Sequence, residues 1–285
     1  MSSLISKIQH NLKLIYKELV YTIRNQFSNE TIVKKENPSI IVSLTTFNKR
    51  IDKVFITIET LFEQEIKPER IILWLSLEEF PNKILPKSLE RLTNRGLDIR
   101  FVNENLRSYK KLIYTKEEFP DAIILTADDD VYYPKNWYGD FVRMNQQYPN
   151  YILCGRGHYL MKKEVNQLYS YNEMYNKTEK GYNIGYNLMP TGVSGILYPK
   201  NALNSVVLDK KLLLELAPLA DDIWFKACGL LNDTQSMRIY DQNKKYLTRK
   251  DGVRTGLANQ NVGKNMNDVQ LKAVFDYFSL YDKIK

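Results

Sequence analysis

Histidine and cysteine are nearly missing from this sequence, with two of each in 285 residues. His10 and His158 are too few for a histidine-rich metal site or a Ser-His-Asp triad, which leaves acid–base chemistry to carboxylates. Cys154 and Cys228 form no CxxC pair and lie far apart, so buried free thiols are expected rather than a disulfide or a zinc site. No run of about eighteen apolar residues occurs, and lysines interrupt the apolar positions near the start of the chain. The expectation is a cytoplasmic protein without a signal peptide or membrane span, peripheral on the inner membrane at most.

What is plentiful is positive charge and ordinary core-forming sequence. Lys and Arg number 41 against 33 Asp and Glu, a formal net charge of +8, with 44% hydrophobic residues. That balance favours polyanionic partners such as nucleic acid, anionic lipid or phosphorylated small molecules. Outside the N-terminal helix and one late loop the charge forms no concentrated stripe, so nucleic acid is not expected.

Ile8, Leu12, Ile15, Leu19 and Ile23 recur at helical spacing, with Lys7, Lys13, Lys17 and Arg24 among them. Residues 1–37 therefore read as a basic amphipathic helix and connector. Such a helix suits an anionic membrane surface through residues 1–27, a second copy of the chain in a homodimer, or packing on its own domain. After Pro38 strands and helices alternate: SIIVSLTTF, a helix through IDKVFITIETLFEQE, RIILWLS, a helix through SLERLTNRG closed by Gly96, DIRFV, a helix around YKKLIYTKEEF, and DAIILTA. Alternation of this kind predicts an α/β fold with a mainly parallel, Rossmann-like sheet flanked by helices, over 38–285 as one domain. A further helix is expected from Asp221 and a strand at MRIYD. Residues 242–264, rich in Gly, Asn, Lys and Arg, read as a mobile loop.

Ligands of such sheets bind beyond the carboxyl ends of the strands, and the run ILTADDDVYYP puts Asp128, Asp129 and Asp130 at one of them. Three adjacent anions disfavour folding unless a cation or hydrogen-bond donors offset them. Carboxylates spaced as DxD hold a hard divalent cation, Mn2+ or Mg2+, together with substrate oxygens. Asp221 and Asp222 stand at a helix start, where capping and function are compatible, with Trp224 and Phe225 placed to wall the site. Gly192 and Gly195 in TGVSGILYP permit close backbone approach or a tight turn. Arg50, Arg107, Lys110 and Lys111 lie near strand ends and suit phosphates, and Lys250, Arg254 and Lys264 suit a loop closing over an anion.

Taken in order, SLTTFNKR, LTADDDVYYP, TGVSGILYP and APLADDIW resemble the GT-A nucleotide-sugar glycosyltransferases, particularly bacterial family-2-like enzymes of surface polysaccharide synthesis, over about residues 39–240. The later motifs also look like the exostosin-type hexosaminyltransferase domain. The resemblance implies that Asp130 ligates the metal, with Asp128 at the metal and the donor ribose, and that Asp129 approaches the donor sugar or supports the loop. Thr45, Phe47 and Arg50 would surround the nucleotide, with Arg107, Lys111 and Gly195 completing the donor site. Asp222 would be the general base beside Asp221, and Trp224 and Arg254 would face the acceptor or form a lid. The family's late metal-binding histidine has no counterpart, since none follows His158.

The reading is thus a hexosyltransferase using a nucleotide-sugar donor, of UDP type, and a saccharide or lipid-linked acceptor, in capsule or O-antigen synthesis. A sugar-nucleotide pyrophosphorylase is the first alternative, but TTFNKR lacks the glycine-rich loop expected there. A non-catalytic membrane-surface assembly protein is the second; two separate acidic clusters argue against it. Retention or inversion at the anomeric carbon stays open.

Overall fold

The computed structural model describes residues 2–177, 183–249 and 265–284, except the side chains of 2–4, 176 and 177. Strands β1 (Ile40–Thr45), β2 (Ile71–Ser76), β3 (Asp98–Val102) and β4 (Ile123–Thr126) alternate with helices α2 (Val54–Phe62), α3 (Lys87–Asn94) and α4 (Lys110–Glu118), as the sequence pattern predicts. Before them lies α1 (Ser2–Phe27). After them come β5 (Val131–Tyr132), α5 (Trp137–Gln147), β6 (Ile152–Cys154), β7 (Gly157–Tyr159), β8 (Lys162–Glu164), β9 (Gln167–Leu168) and α6 (Tyr171–Lys177). The remainder comprises β10 (Ile184–Gly185), β11 (Leu188–Pro190), β12 (Ile196–Tyr198), α7 (Lys210–Leu216), α8 (Asp221–Leu231), β13 (Ser236–Arg238), β14 (Leu247–Thr248) and α9 (Met266–Phe278).

The central sheet has eight strands in the order β10-β13-β6-β12-β4-β1-β2-β3. It is mostly parallel: β12 and β10 alone run against the rest. Successive residues of a strand point to opposite faces, so the apolar runs of β1 and β4 feed two cores at once. Ile41 and Ile124 join α4, α8 and α9 on one side, while Val42, Leu44 and Leu125 join α1, α2, α3 and α5 on the other. The result is a helix–sheet–helix sandwich. Cys154 and Cys228 are buried free thiols within the first of these cores.

Helix α1 docks by a face that its apolar periodicity does not mark. Leu14, Tyr21 and Asn25 are buried, while Ile8, Leu12, Ile15, Leu19 and Ile23 remain 49–60% exposed. The docking runs through a polar anchor: Glu59 of α2, fully buried, receives Arg95 at 2.5 Å, Asn25 Nδ2 at 3.1 Å and Arg24 at 3.3 Å. No described helix is long and apolar enough to cross a membrane. Of the loop expected over 242–264, Leu247 and Thr248 pair with β5, and residues 250–264 lie outside the described residues.

Candidate active site

A cavity of about 900 Å3 opens over the carboxyl ends of the parallel strands. The chain leaving β1 supplies Thr45, Thr46, Phe47 and Arg50; beyond β2 comes Glu79, beyond β3 Asn105, Arg107, Lys110 and Lys111, and beyond β4 Ala127 to Asp130. Because β12 is antiparallel, the turn preceding it, Thr191 to Val193, arrives at the same edge. Leu219 to Ile223 at the start of α8 close the far wall.

The three aspartates have different partners. Asp129 is a brace: its carboxylate accepts from Arg50 Nη1 at 2.5 Å and from Thr46 Oγ1 at 2.5 Å, and its backbone oxygen accepts from Thr57 Oγ1 and Arg249 Nη1. Asp128 meets the ammonium of Lys111 at 2.9 Å. Asp130 lies 3.1 Å from Arg50, yet burial and the neighbouring Asp129 and Asp128 push its carboxyl up to about 7. The charge crowding anticipated from the sequence is therefore largely, but not wholly, offset by side chains.

Lys111 sits inside the carboxylate cluster, bridging Asp128 and, at 3.3 Å, Asp221. Burial alone would depress its pKa, but Asp128, Asp221 and Asp222 hold it well above the usual lysine range. It is thus an internal counter-ion between the two acidic motifs, committed before any phosphate arrives. Asp222 is oriented by the Gly192 N–H, which donates to its Oδ2 at 3.0 Å. Burial, first, and then Asp221 push the Asp222 carboxyl up to about 7. Gly192 is where the two motifs meet: a Cβ there would stand 3.3 Å from Lys111 Nζ, 3.4 Å from Asp128 Oδ1 and 3.5 Å from Asp222 Oδ1. A side chain there would fill the space among the three.

Thr45, Phe47, Arg50, Arg107, Lys111, Asp128, Asp129, Asp130, Asp221 and Asp222 all line this one cavity. Gly195 and Trp224 do not. Gly195 has φ +91°, and a Cβ on it would come within 2.7 Å of the Trp137 ring, so its glycine serves a tight turn beneath the sheet edge. Trp224 is fully buried, its indole N–H donating to the Val207 carbonyl at 3.3 Å and its ring against Phe278. Rotation of about 100° per residue along α8 turns Asp221 to Ile223 toward the cavity and Trp224 and Phe225 into the core. Arg254, with Lys250 and Lys264, lies outside the described residues.

Sequence reasoning missed one whole wall, formed by Arg156, Tyr171, Asn172, Tyr175 and Asn267. The only available signal for it was the GRG preceding His158 and the density of tyrosines after Leu168. It also missed Arg249, buried, whose guanidinium holds the carbonyls of Asp129 at 2.8 Å and Lys53 at 2.6 Å and whose N–H donates to the Asp130 carbonyl.

A divalent cation fits the acidic edge in part. The donor set is oxygen only, which suits Mn2+ or Mg2+, and the raised proton affinity of Asp130 marks negative charge left without a full counter-ion. Among the described residues no three His, Cys, Asp or Glu side chains form a ready cage. Two carboxylates, Asp128 and Asp130, would hold the ion, with substrate phosphates and water taking the other positions.

No protein-family model matches the sequence, and no curated protein matches it. Similar solved structures include the mannosyltransferase PcManGT from Pyrobaculum calidifontis in complex with GDP-Man and Mn2+, at 12% identity and TM-score 0.46 over 96% of this chain and 80% of that one. Two structures of TarS from S. aureus are also similar: the 1–349 segment at 17% identity and TM-score 0.44 over 73% of this chain, and a longer chain at 16% and 0.46 over 85%. This chain spans 59% and 42% of those two TarS chains.

Proposed function

We propose that the protein is a glycosyltransferase that moves a sugar from a nucleotide-sugar donor, of UDP type, to a hydroxyl of a saccharide or lipid-linked saccharide in bacterial surface polysaccharide synthesis. The observation that carries this reading is the meeting of two acidic motifs across Gly192, within one cavity at the strand ends, one braced and one oriented.

In this reading Thr45, Phe47 and Arg50 wall the nucleotide, with the Arg50 guanidinium 5.3 Å from the Phe47 ring centroid. Asp128 and Asp130 hold Mn2+ or Mg2+, which when bound supplies charge stabilisation to the leaving diphosphate. Asp129 keeps the loop in place through Arg50 and Thr46. Lys111 fixes Asp128 and Asp221, so the acidic edge keeps its shape in the absence of substrate. Asp222 is the general base: a carboxyl raised toward neutrality is matched to accepting the acceptor hydroxyl's proton as that oxygen attacks the anomeric carbon. The Gly192 N–H aims it by holding Oδ2. Helix α1 is assigned to an anionic lipid surface, where a lipid-linked acceptor would be presented.

The test is a thermal-shift panel of UDP, GDP, CMP and their sugar conjugates, with and without Mn2+, on wild type and Asp130→Ala. A ligand that binds only the folded form raises its melting temperature. The expected result is a Mn2+-dependent shift with the UDP compounds that Asp130→Ala loses; no shift with any nucleotide overturns the assignment. Asp222→Asn should keep the donor shift and lose about 10²–10⁴-fold in transfer rate, the span of general-base catalysis. Retained turnover in that variant would remove Asp222 from its role.

A further inference from the structure

The wall of the cavity that carries Arg156 has no role in the donor chemistry, and its charge is uncommitted. Arg156 is half-buried, and the buried basic residues described in the cavity are engaged: Arg50 with Asp129 and Asp130, Lys110 with Asn105 at 2.7 Å and Glu79 at 3.6 Å, and Lys111 with Asp128 and Asp221. Arg107 stands exposed at the rim, reaching the Pro218 carbonyl at 3.4 Å. Arg156 has no carboxylate within ion-pair distance among the described residues, and its buried Nε has no hydrogen-bond partner. Its one described side-chain contact is the Tyr175 ring, 5.5 Å away. An arginine Nε–H cut off from water and left without an acceptor is costly unless a ligand completes it.

Position assigns the ligand. Arg156 follows β6 and holds the turn before Gly192, its carbonyl accepting from the Thr191 N–H at 3.0 Å. Burial, first, and then Asp222 raise the pKa of the Tyr171 hydroxyl while Arg156 lowers it, and all three residues line the same cavity. Tyr171, Asn172 and Tyr175 present aromatic and amide surface beside the guanidinium. Behind them His158, 2% exposed, meets both tyrosine rings edge-on at 5.7 and 4.8 Å. Burial, Arg156 and Arg238 keep its imidazole neutral, at about 3, and neither ring nitrogen has a hydrogen-bond partner. The backing thus contributes no anion to satisfy Arg156.

We propose that Arg156, with Tyr171, Asn172 and Tyr175, forms a subsite for an anionic group on the acceptor, a phosphate or a carboxylate next to the sugar hydroxyl that Asp222 activates. The proposal rests on the glycosyltransferase reading and narrows it: the acceptor is an acidic saccharide or a sugar phosphate, not a neutral glycan. A planar guanidinium pairs with the two oxygens of either anion, and the tyrosine rings offer flat apolar surface to the sugar ring.

The experiment is calorimetric titration of wild type, Arg156→Gln and Arg156→Lys, each saturated with UDP and Mg2+ so that the donor phosphate positions are filled. The probes are glycerol 3-phosphate and glucuronate, with glycerol and glucose as their neutral counterparts. Wild type should bind an anionic probe about tenfold more tightly than its neutral partner, Arg156→Gln should erase that preference, and Arg156→Lys should keep part of it. Preference for glycerol 3-phosphate assigns a phosphate-bearing acceptor, and preference for glucuronate assigns a uronate. The proposal is overturned if wild type shows no anion preference, if Arg156→Gln retains it, or if Arg156→Gln loses UDP, which would place the arginine at the donor. Failure of UDP to bind wild type, in contrast, sinks the glycosyltransferase reading itself.

Discussion

At the scale of single residues, three consecutive aspartates coexist because each is given a different environment. Asp129 is paired with Arg50 and hydrogen-bonded by Thr46, Asp128 is paired with Lys111, and the carboxyl of Asp130 is pushed up by burial and by its two neighbours. The usual carboxyl value is 3.8, and that of Asp130 in the fold is about 7. Across that interval the folded, metal-free protein binds more protons than the unfolded chain, so its stability falls as pH rises. Asp222, also raised to about 7, adds in the same direction. Asp130→Asn removes the charge while keeping the shape. In EDTA the variant should therefore be more stable than wild type at pH 8, by about 1–3 kcal/mol, with no advantage at pH 4. Urea denaturation at the two pH values measures this, and equal midpoints at pH 8 would show that Arg50 already compensates Asp130 in full.

At the scale of elements, the alternation of strands and helices was legible because apolar period changes from 2 to 3.6 wherever the chain turns from sheet to helix. Strand β3 spans DIRFV as read, and α8 starts at Asp221 as read. The docking of α1 was not legible, since its contact face is built on Asn25, Arg24 and Tyr21 reaching Glu59 and Glu63, a pattern that no hydrophobic period records. The stripe that the period does record points outward: Ile5, Ile8, Leu12, Ile15, Leu19 and Ile23 are 49–60% exposed. On the same helix Lys7 and Lys13 are exposed, and Glu18 is paired with Lys53 at 2.5 Å. An outward apolar stripe flanked by lysines matches an anionic lipid interface. Ile8, Ile15 and Leu19 replaced together by Ser should leave urea stability nearly unchanged, since exposed positions shift it by about 0.5 kcal/mol or less each. The same variant should lose co-sedimentation with phosphatidylglycerol vesicles. Unchanged sedimentation would reject the lipid assignment, and a wild-type dimer that the variant dissolves, without vesicle binding, would give the stripe to a second copy instead.

At the scale of the whole molecule, the proposed function divides the charge between two jobs. Among the described residues, five basic side chains line the cavity, Arg50, Arg107, Lys110, Lys111 and Arg156, against six acidic ones, Glu79, Asp128, Asp129, Asp130, Asp221 and Asp222. With every carboxyl ionised, the described lining is thus acidic by one charge, in a protein of net charge +8. The acidic motifs were legible because Asp128 to Asp130 and Asp221 to Asp222 are contiguous in sequence; the Arg156 wall was not, because Arg156 stands alone between β6 and β7 and α6 comes from a tyrosine- and asparagine-rich stretch without a period. This division has two consequences of opposite kind. A nucleotide diphosphate meets an acidic edge unless a divalent cation intervenes, so EDTA should weaken UDP binding by at least about tenfold, one charge-assisted contact or more. The proposed vesicle attachment, by contrast, would draw on exposed lysines and need no metal. Raising salt from about 0.05 to 0.5 M shortens the Debye length from roughly 14 to 4 Å, and should release the protein from vesicles while UDP with Mn2+, held in a partly enclosed site, weakens much less. If both bindings fell together with salt, the donor would be held by the protein's diffuse positive field, and the Asp128 and Asp130 edge would lose its assignment.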